Sequence, residues 1–236
     1  MAGGLLILNR MRLDTRWFAG LLAVAFFPAT PSLPLRAGPA GIAAPDSGSF
    51  VIRHAADTVA VERFARTPTG INGTLELRNA KHTSQSYRAV VAPDASVALI
   101  EVTVKEQPDG APGSRVVQNA RVIFKQDSAA VDDVSGRGLQ TRIFPTGRGA
   151  VPYLNLSFAL LEQVVLRSRD PGAVAGLVPL FNLGGGQTVD AKLSPLGGDS
   201  LVVAIGEVEF HLRVDEAGRV LGGTIPAQDV IAERTP

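Results

Sequence analysis

From Gly48 to Ile225 the chain is cut by turn residues at short intervals, and the pieces between the cuts alternate apolar with polar. Only one stretch, Pro152 to Arg169, departs from that rhythm for long enough to be a helix. A succession of short period-two runs joined by tight turns can bury its apolar positions only by pairing side by side, so the chain is constrained to an antiparallel meander. The clearest member is Glu207 to Val214, which places Val208, Phe210, Leu212 and Val214 on one face and Glu207, Glu209, His211 and Arg213 on the other. Similar alternation runs through Val59 to Phe64, Ile71 to Asn79, Ser86 to Ala92 and Ser96 to Glu106, and about ten strands are expected in all.

In Pro152 to Arg169, Leu154, Phe158, Leu161 and Val165 recur at helical spacing, with Leu160 and Val164 widening the stripe. Pro152 suits a first helical turn and Asp170-Pro171-Gly172 a stop, while Arg167 and Arg169 complement the dipole of the last turn. The apolar run Ala173 to Leu183, broken by Pro179, follows the helix and carries Leu177, Leu180 and Phe181. The expected fold class is mainly β (α+β): a curved antiparallel meander, half-barrel or open barrel, with one long helix packed on its concave face.

The first residues predict a destination. Arg10, Arg12 and Arg16 precede an uncharged run from Trp17 to Ala29 and then a stretch rich in Pro and small residues, the layout of a secretory signal peptide. The run before Pro28 is shorter than the roughly 20 apolar residues that a spanning helix needs. The expected organisation is therefore a signal and linker over 1–45 and a single β-rich domain over 46–236, exported to the periplasm or beyond. Contact with a membrane would come through the N-terminal segment if it is not cleaved.

The chain has no cysteine, which removes disulfides, thiolate nucleophiles and lipid attachment through Cys, so the domain must be held by its core. Charges nearly balance at 23 basic and 22 acidic residues, and the only Trp lies in the signal segment. Nothing steers such a domain to nucleic acid.

Two polar constellations could carry hydrolase-like chemistry: His54 with Asp57, and Glu207, Glu209 and His211 on one strand face. A solvated sheet face looks the same. No nucleophile elbow, phosphate-binding loop or metal-ligand spacing is present, so no catalytic residue, metal or cofactor is assigned.

The turn phrases Ala92-Pro93-Asp94-Ala95-Ser96-Val97 and Val214-Asp215-Glu216-Ala217-Gly218-Arg219-Val220, set in a meander with one apolar helix, resemble the half-barrel periplasmic proteins around LolA and LppX, and also uncharacterised exported bacterial β-proteins of similar layout. That resemblance implies a curved sheet whose concave face holds an acyl chain or another lipophilic molecule. It departs from LppX in lacking a lipidation Cys. The expected function is non-catalytic binding of a lipophilic ligand between helix and sheet, lined by Leu154, Phe158, Leu161, Val165, Leu177, Leu180 and Phe181. The alternative is a structural or accessory subunit of an envelope assembly, with a protein partner in place of a ligand.

Overall fold

The structure, a computed structural model, describes residues 46–107, 113–135 and 138–235. The signal and linker expected over 1–45 lie outside the described residues. In chain order the elements are β1 (Asp46–His54), β2 (Asp57–Thr67), β3 (Gly70–Leu77), β4 (Thr83–Val91), β5 (Val97–Glu106), β6 (Arg115–Phe124), β7 (Ser128–Ser135) and β8 (Gly138–Pro145). Next come β9 (Val151–Tyr153), α1 (Phe158–Ser168), β10 (Leu177–Asn182), β11 (Thr188–Gly197), β12 (Ser200–Ile205), β13 (Val208–Val214), β14 (Val220–Ile225) and β15 (Val230–Thr235). A single 3-10 turn, Pro226–Gln228, separates β14 from β15.

All fifteen strands form one curved, open sheet in the order β8-β7-β6-β5-β4-β3-β2-β1-β15-β14-β13-β12-β11-β10-β9. The meander runs outward from β1 to β8, and the second half runs back from β10 to β15, which pairs antiparallel with β1. The first and the last of the described strands are thus neighbours at the centre of the sheet. The only parallel pairing among the described strands is β9 with β10, because α1 intervenes as a crossover.

The expected mainly β meander is present, and three local readings are corrected. First, the helix is shorter than Pro152 to Arg169. Pro152 lies in β9, a sheet-edge strand where a missing N–H breaks no inter-strand bond. Leu156 takes a left-handed backbone at φ 64°, and Ser157 is the N-cap, its Oγ accepting from the Leu160 N–H at 3.3 Å. Leu154 therefore precedes the helix rather than lying on its stripe.

Second, the helix does not have one dry face and one wet one. Glu162, Gln163 and Arg167 are as buried as Phe158, Leu161 and Val165. It packs close to β2 in one half of the sheet and to β9, β10, β11 and β14 in the other.

Third, strands outnumber the expectation. The stretch Val131 to Thr146 folds into most of β7 and all of β8, Ala173 to Leu183 supplies β10, and the tail from Pro226 is a turn followed by a strand. Short apolar runs hide strands because periodicity cannot separate a buried strand from a buried loop.

The core unites inward positions from both halves of the sheet with α1. Phe50 stacks on Phe64 at 5.6 Å between ring centres, and Phe158 packs on Phe50 at the same distance. Gly73 lets Tyr87 lie across the neighbouring strand, since a Cβ at Gly73 would come within 2.2 Å of the Tyr87 ring and hydroxyl. Gly73→Ala should lower stability by about 1–3 kcal/mol, the usual cost of overpacking, as read from urea unfolding. An unchanged midpoint would mean that Tyr87 does not occupy this position.

Candidate functional site

Two carboxylates dominate the interior. Glu62 sits on the inward face of β2 between Ala60 and Phe64, at 0% exposure. It accepts from the Ser157 hydroxyl at 2.5 Å, the Tyr87 hydroxyl at 2.7 Å and the Ala159 N–H at 3.0 Å. A carboxylate at the open N–H groups of a helix start is favoured both by hydrogen bonding and by the helix dipole. Burial nevertheless dominates and raises the Glu62 pKa above 4.5, with the bonds from Ser157, Ala159 and Tyr87 opposing the shift.

One turn further along α1, Glu162 is also fully buried. Its carboxylate lies 3.0 Å from Arg66 Nε and 3.0 Å from Arg234 Nη1, and it accepts from the Val220 N–H at 2.8 Å. Arg66 also donates to the Ala159 carbonyl at 3.0 Å and to the Gln163 side chain. Arg234 pairs with Asp46 and lies over the Phe64 ring, 4.9 Å from its centre. Burial again leads in raising the Glu162 pKa, against the nearby Arg66 and Arg234.

The C-terminal end of α1 is tied down as firmly. Arg167 donates to the Asp94 carbonyl at 2.8 Å and pairs with Asp170 at 3.2 Å, Gln163 donates to the Ala95 carbonyl at 2.6 Å, and Arg169 donates to the Glu216 carbonyl at 2.7 Å. The β4–β5 and β13–β14 turns, which carry the two phrases singled out in the sequence, are therefore the docking points of the helix. The expectation that Arg167 and Arg169 serve the helix dipole is accurate for position and incomplete for role.

Neither Glu62 nor Glu162 lines either of the two principal clefts. The first cleft is walled by Val102 and Val104 of β5, Ala120 and Val122 of β6, Val131 of β7 and Phe144 of β8, facing Phe181 of β10 and Leu183 and Gly186 just beyond it. It is a narrow slot whose free space, about 20 Å³, has room for roughly one water molecule. Phe181 holds Phe124 edge-on at 5.7 Å and Phe144 at 5.9 Å. Gly186, at φ 66°, admits the Phe144 ring where a Cβ would meet it at 2.6 Å. Polar groups are few: Gln118 donates to Asp133 at 3.0 Å, and Arg142 to Gln140 at 2.6 Å.

The second cleft, below the C-terminus of α1, is more open and lined by Arg148, Arg167, Asp94, Asp170, Asp190 and apolar residues including Leu177. Its buried charge is already engaged, since Arg167 is paired with Asp94 and Asp170.

The seven residues expected to line a cavity are thus divided. Leu154, Phe158, Leu161, Val165 and Leu180 are packed in the core and line neither cleft. Phe181 lines the first cleft and Leu177 the second. The helix–sheet space they were expected to surround is filled by their own side chains and by the Glu62 and Glu162 networks. The cleft walls come instead from β5 to β8, whose inward residues alternate visibly in the sequence but whose facing partner across the sheet does not.

The polar constellations remain apart. His54 and Asp57 face each other across the β1–β2 turn, both exposed, while Glu62 points into the core on the same strand as Asp57. Glu209 and His211 lie 3.3 Å apart on the solvated face of β13. Among the described residues no group of three or more His, Asp or Glu side chains converges as metal ligands do.

Glu162→Ala should cost about 3–5 kcal/mol, because it leaves Arg66 and Arg234 charged and buried without their shared partner. The double replacement Arg66→Met with Glu162→Leu should cost clearly less, a difference that urea unfolding measures. A raised carboxyl pKa also fixes a sign. Between about pH 4.5 and the folded pKa the folded chain holds more protons than the unfolded one, so stability falls as pH rises through that window. The stability of the wild type relative to Glu62→Gln should decline as pH rises above about 4.5, and a pH-independent difference would contradict the shift.

No protein-family model and no curated protein matches the chain. In structure it is similar to a beta-barrel-like protein of the domain of unknown function DUF1849 from Brucella abortus, 11% identical, with a TM-score of 0.50 over 81% of this chain and 95% of that one. A DUF1089 family protein from Pseudomonas aeruginosa, 13% identical, matches 73% of this chain and 92% of its own with a TM-score of 0.49. At such low identity the Brucella structure bears on fold alone, and what it supports is a barrel-like β-protein.

Proposed function

We propose that the chain is an exported, non-catalytic carrier of a lipophilic ligand, related in manner of binding to the LolA and LppX half-barrels, with α1 on the concave side of the sheet. The observation that carries the reading is the first cleft. It has an apolar wall from four adjacent strands, an aromatic closure at Phe144 and Phe181, and a few polar groups from Gln118, Asp133, Gln140 and Arg142. Apolar lining with a small number of fixed polar groups is what ligand pockets generally have.

The ligand site moves, in this proposal, from the helix–sheet interface to the space between β5–β8 and the end of β10. Phe144 belongs to an edge strand whose described hydrogen bond to the far half of the sheet is Thr188 Oγ1 to the Pro145 carbonyl, at 3.0 Å. Entry of a chain-like ligand displaces Phe144 from Gly186 and widens the cleft, while the helix and its ion pairs stay in place.

Native mass spectrometry of the protein from its own envelope fraction, followed by denaturation, should show a lipid-sized adduct that is lost on unfolding. Ala120→Trp, which fills the cleft, should weaken binding of the fluorescent fatty acid cis-parinaric acid by about tenfold or more. A bare chain that also fails to bind cis-parinaric acid would overturn the carrier reading, and a protein recovered with a stoichiometric partner would favour an accessory subunit of an envelope assembly.

A further inference from the structure

The two edges of the sheet are treated differently. The β9 edge is three residues long, contains Pro152, and has Val151 and Pro152 buried. The β8 edge is eight residues long, with Leu139 at 68% and Ile143 at 74% exposure. Exposed edges are normally blunted by Lys, by Pro within the strand or by a covering loop. The β8 edge has no Lys; its one charge, Arg142, lies on the inner, cleft-lining face, and its one Pro, Pro145, is the last residue of the strand.

Its backbone register is settled by its neighbour. The β7–β8 pairing runs without a shift from Ser128↔Pro145 to Ser135↔Gly138, and just beyond it the Thr146 N–H donates to the Asp127 carbonyl at 2.9 Å. In an antiparallel ladder the residues bonded to one neighbour alternate with residues whose N–H and C=O face the other side. Gln140, Arg142 and Phe144 therefore bond to β7, and Leu139, Thr141 and Ile143 present theirs to the free edge. The Pro145 carbonyl, bonded outward to Thr188, obeys the same parity.

The outer surface behind this edge is apolar in one continuous row. Register pairs Val90 with Leu99, Leu99 with Ile123, Ile123 with Ala130, and Ala130 with Ile143, so the row crosses β4 to β8 and stops at the edge. A shorter row, Val134 with Leu139, stops beside it.

We propose that two copies of this chain pair through β8, antiparallel and two-fold symmetric about Thr141, to join their sheets edge to edge. In that register Leu139 of each copy faces Ile143 of the other, and each long apolar row continues into the other copy's short one. The residue that meets itself on the axis is the uncharged Thr141, and Arg142 falls opposite Gln140, the group it already bonds within its own chain. A register centred on Arg142 would instead oppose two guanidinium groups and bring Pro145, without an N–H, into the new ladder. Self-complementarity about a two-fold axis is what an isologous interface requires, and the three outward residues supply paired backbone donors and acceptors in both copies. This proposal does not rest on the ligand reading, because β8 pairs through its edge and its outer face while the cleft lies on its inner face.

The test uses sedimentation velocity of the full chain across a concentration series, with Thr141→Lys, which sets like charges face to face at the axis of the pair. Wild type should move from monomer to dimer with concentration, and Thr141→Lys should remain monomeric with unchanged thermal unfolding. Because the chain has no native cysteine, Thr141→Cys gives a unique label. A short bismaleimide should join it into dimers, while Glu101→Cys, on the outer face of β5, should not be joined. A wild type that stays monomeric, a dimer indifferent to Thr141→Lys, or equal cross-linking of the Glu101→Cys and Thr141→Cys variants would each overturn the proposal.

Discussion

Taking Glu62 and Glu162 out of water is the constraint on which the rest of the structure depends. A buried carboxylate is tolerated only where enough donors converge on it, and here the donors come from distant parts of the chain. Glu62 needs Tyr87 from β4 together with Ser157 and the start of α1, and Glu162 needs Arg66 from β2, Arg234 from β15 and the Val220 N–H of β14. Each set can be assembled in one arrangement of sheet and helix, so the two acids act as a register pin for α1 between the halves of the sheet. Apolar contacts alone would let a leucine-rich helix rotate or slide.

The sheet closes on its own ends in sequence. β1 pairs with β2 on one side and with β15 on the other, and Arg234 of β15 reaches Asp46 at the start of β1 as well as Glu162. The helix is thereby tied to the first and last described strands through one guanidinium. At its other end Arg167, Arg169 and Gln163 grip the carbonyls of two hairpin turns, so each end of the helix is held by hydrogen bonds to strands that are far apart in the chain. The free flank β6–β8 takes no part in these bonds, which leaves it as the region where a cleft and an unpaired edge coexist.

Much of this was legible in the sequence, and the failures have specific causes. Alternation in Glu207 to Val214 and in Val59 to Phe64 reports faces correctly, because side-chain direction in a strand follows from backbone geometry alone. The same alternation places Glu62 beside Ala60 and Phe64 on one face, but a polar residue on an apolar face cannot be told from a face on the solvent side until its partners are known. Pro152 misplaces the helix start because Pro is acceptable both in a first helical turn and in an edge strand. Ser157, three residues before the Leu160 N–H that it caps, is the local signal for the true start. The residues expected to line a cavity meet a different limit: apolar side chains that fill a core and those that line a cleft have the same composition, and only packing distinguishes them.

By itself, then, the sequence determined the mainly β class of the fold, the α-helix among the described residues, the absence of disulfide support and the turns on which the helix rests, since each follows from composition or from interactions between residues near one another in the chain. What only the tertiary structure decided is which polar residues are buried, which strand is left unpaired and where space remains between side chains. Those outcomes depend on contacts such as Arg66 with Glu162, Phe144 with Gly186 and β1 with β15, between segments that local propensity cannot relate because nothing short of the closed sheet brings them together.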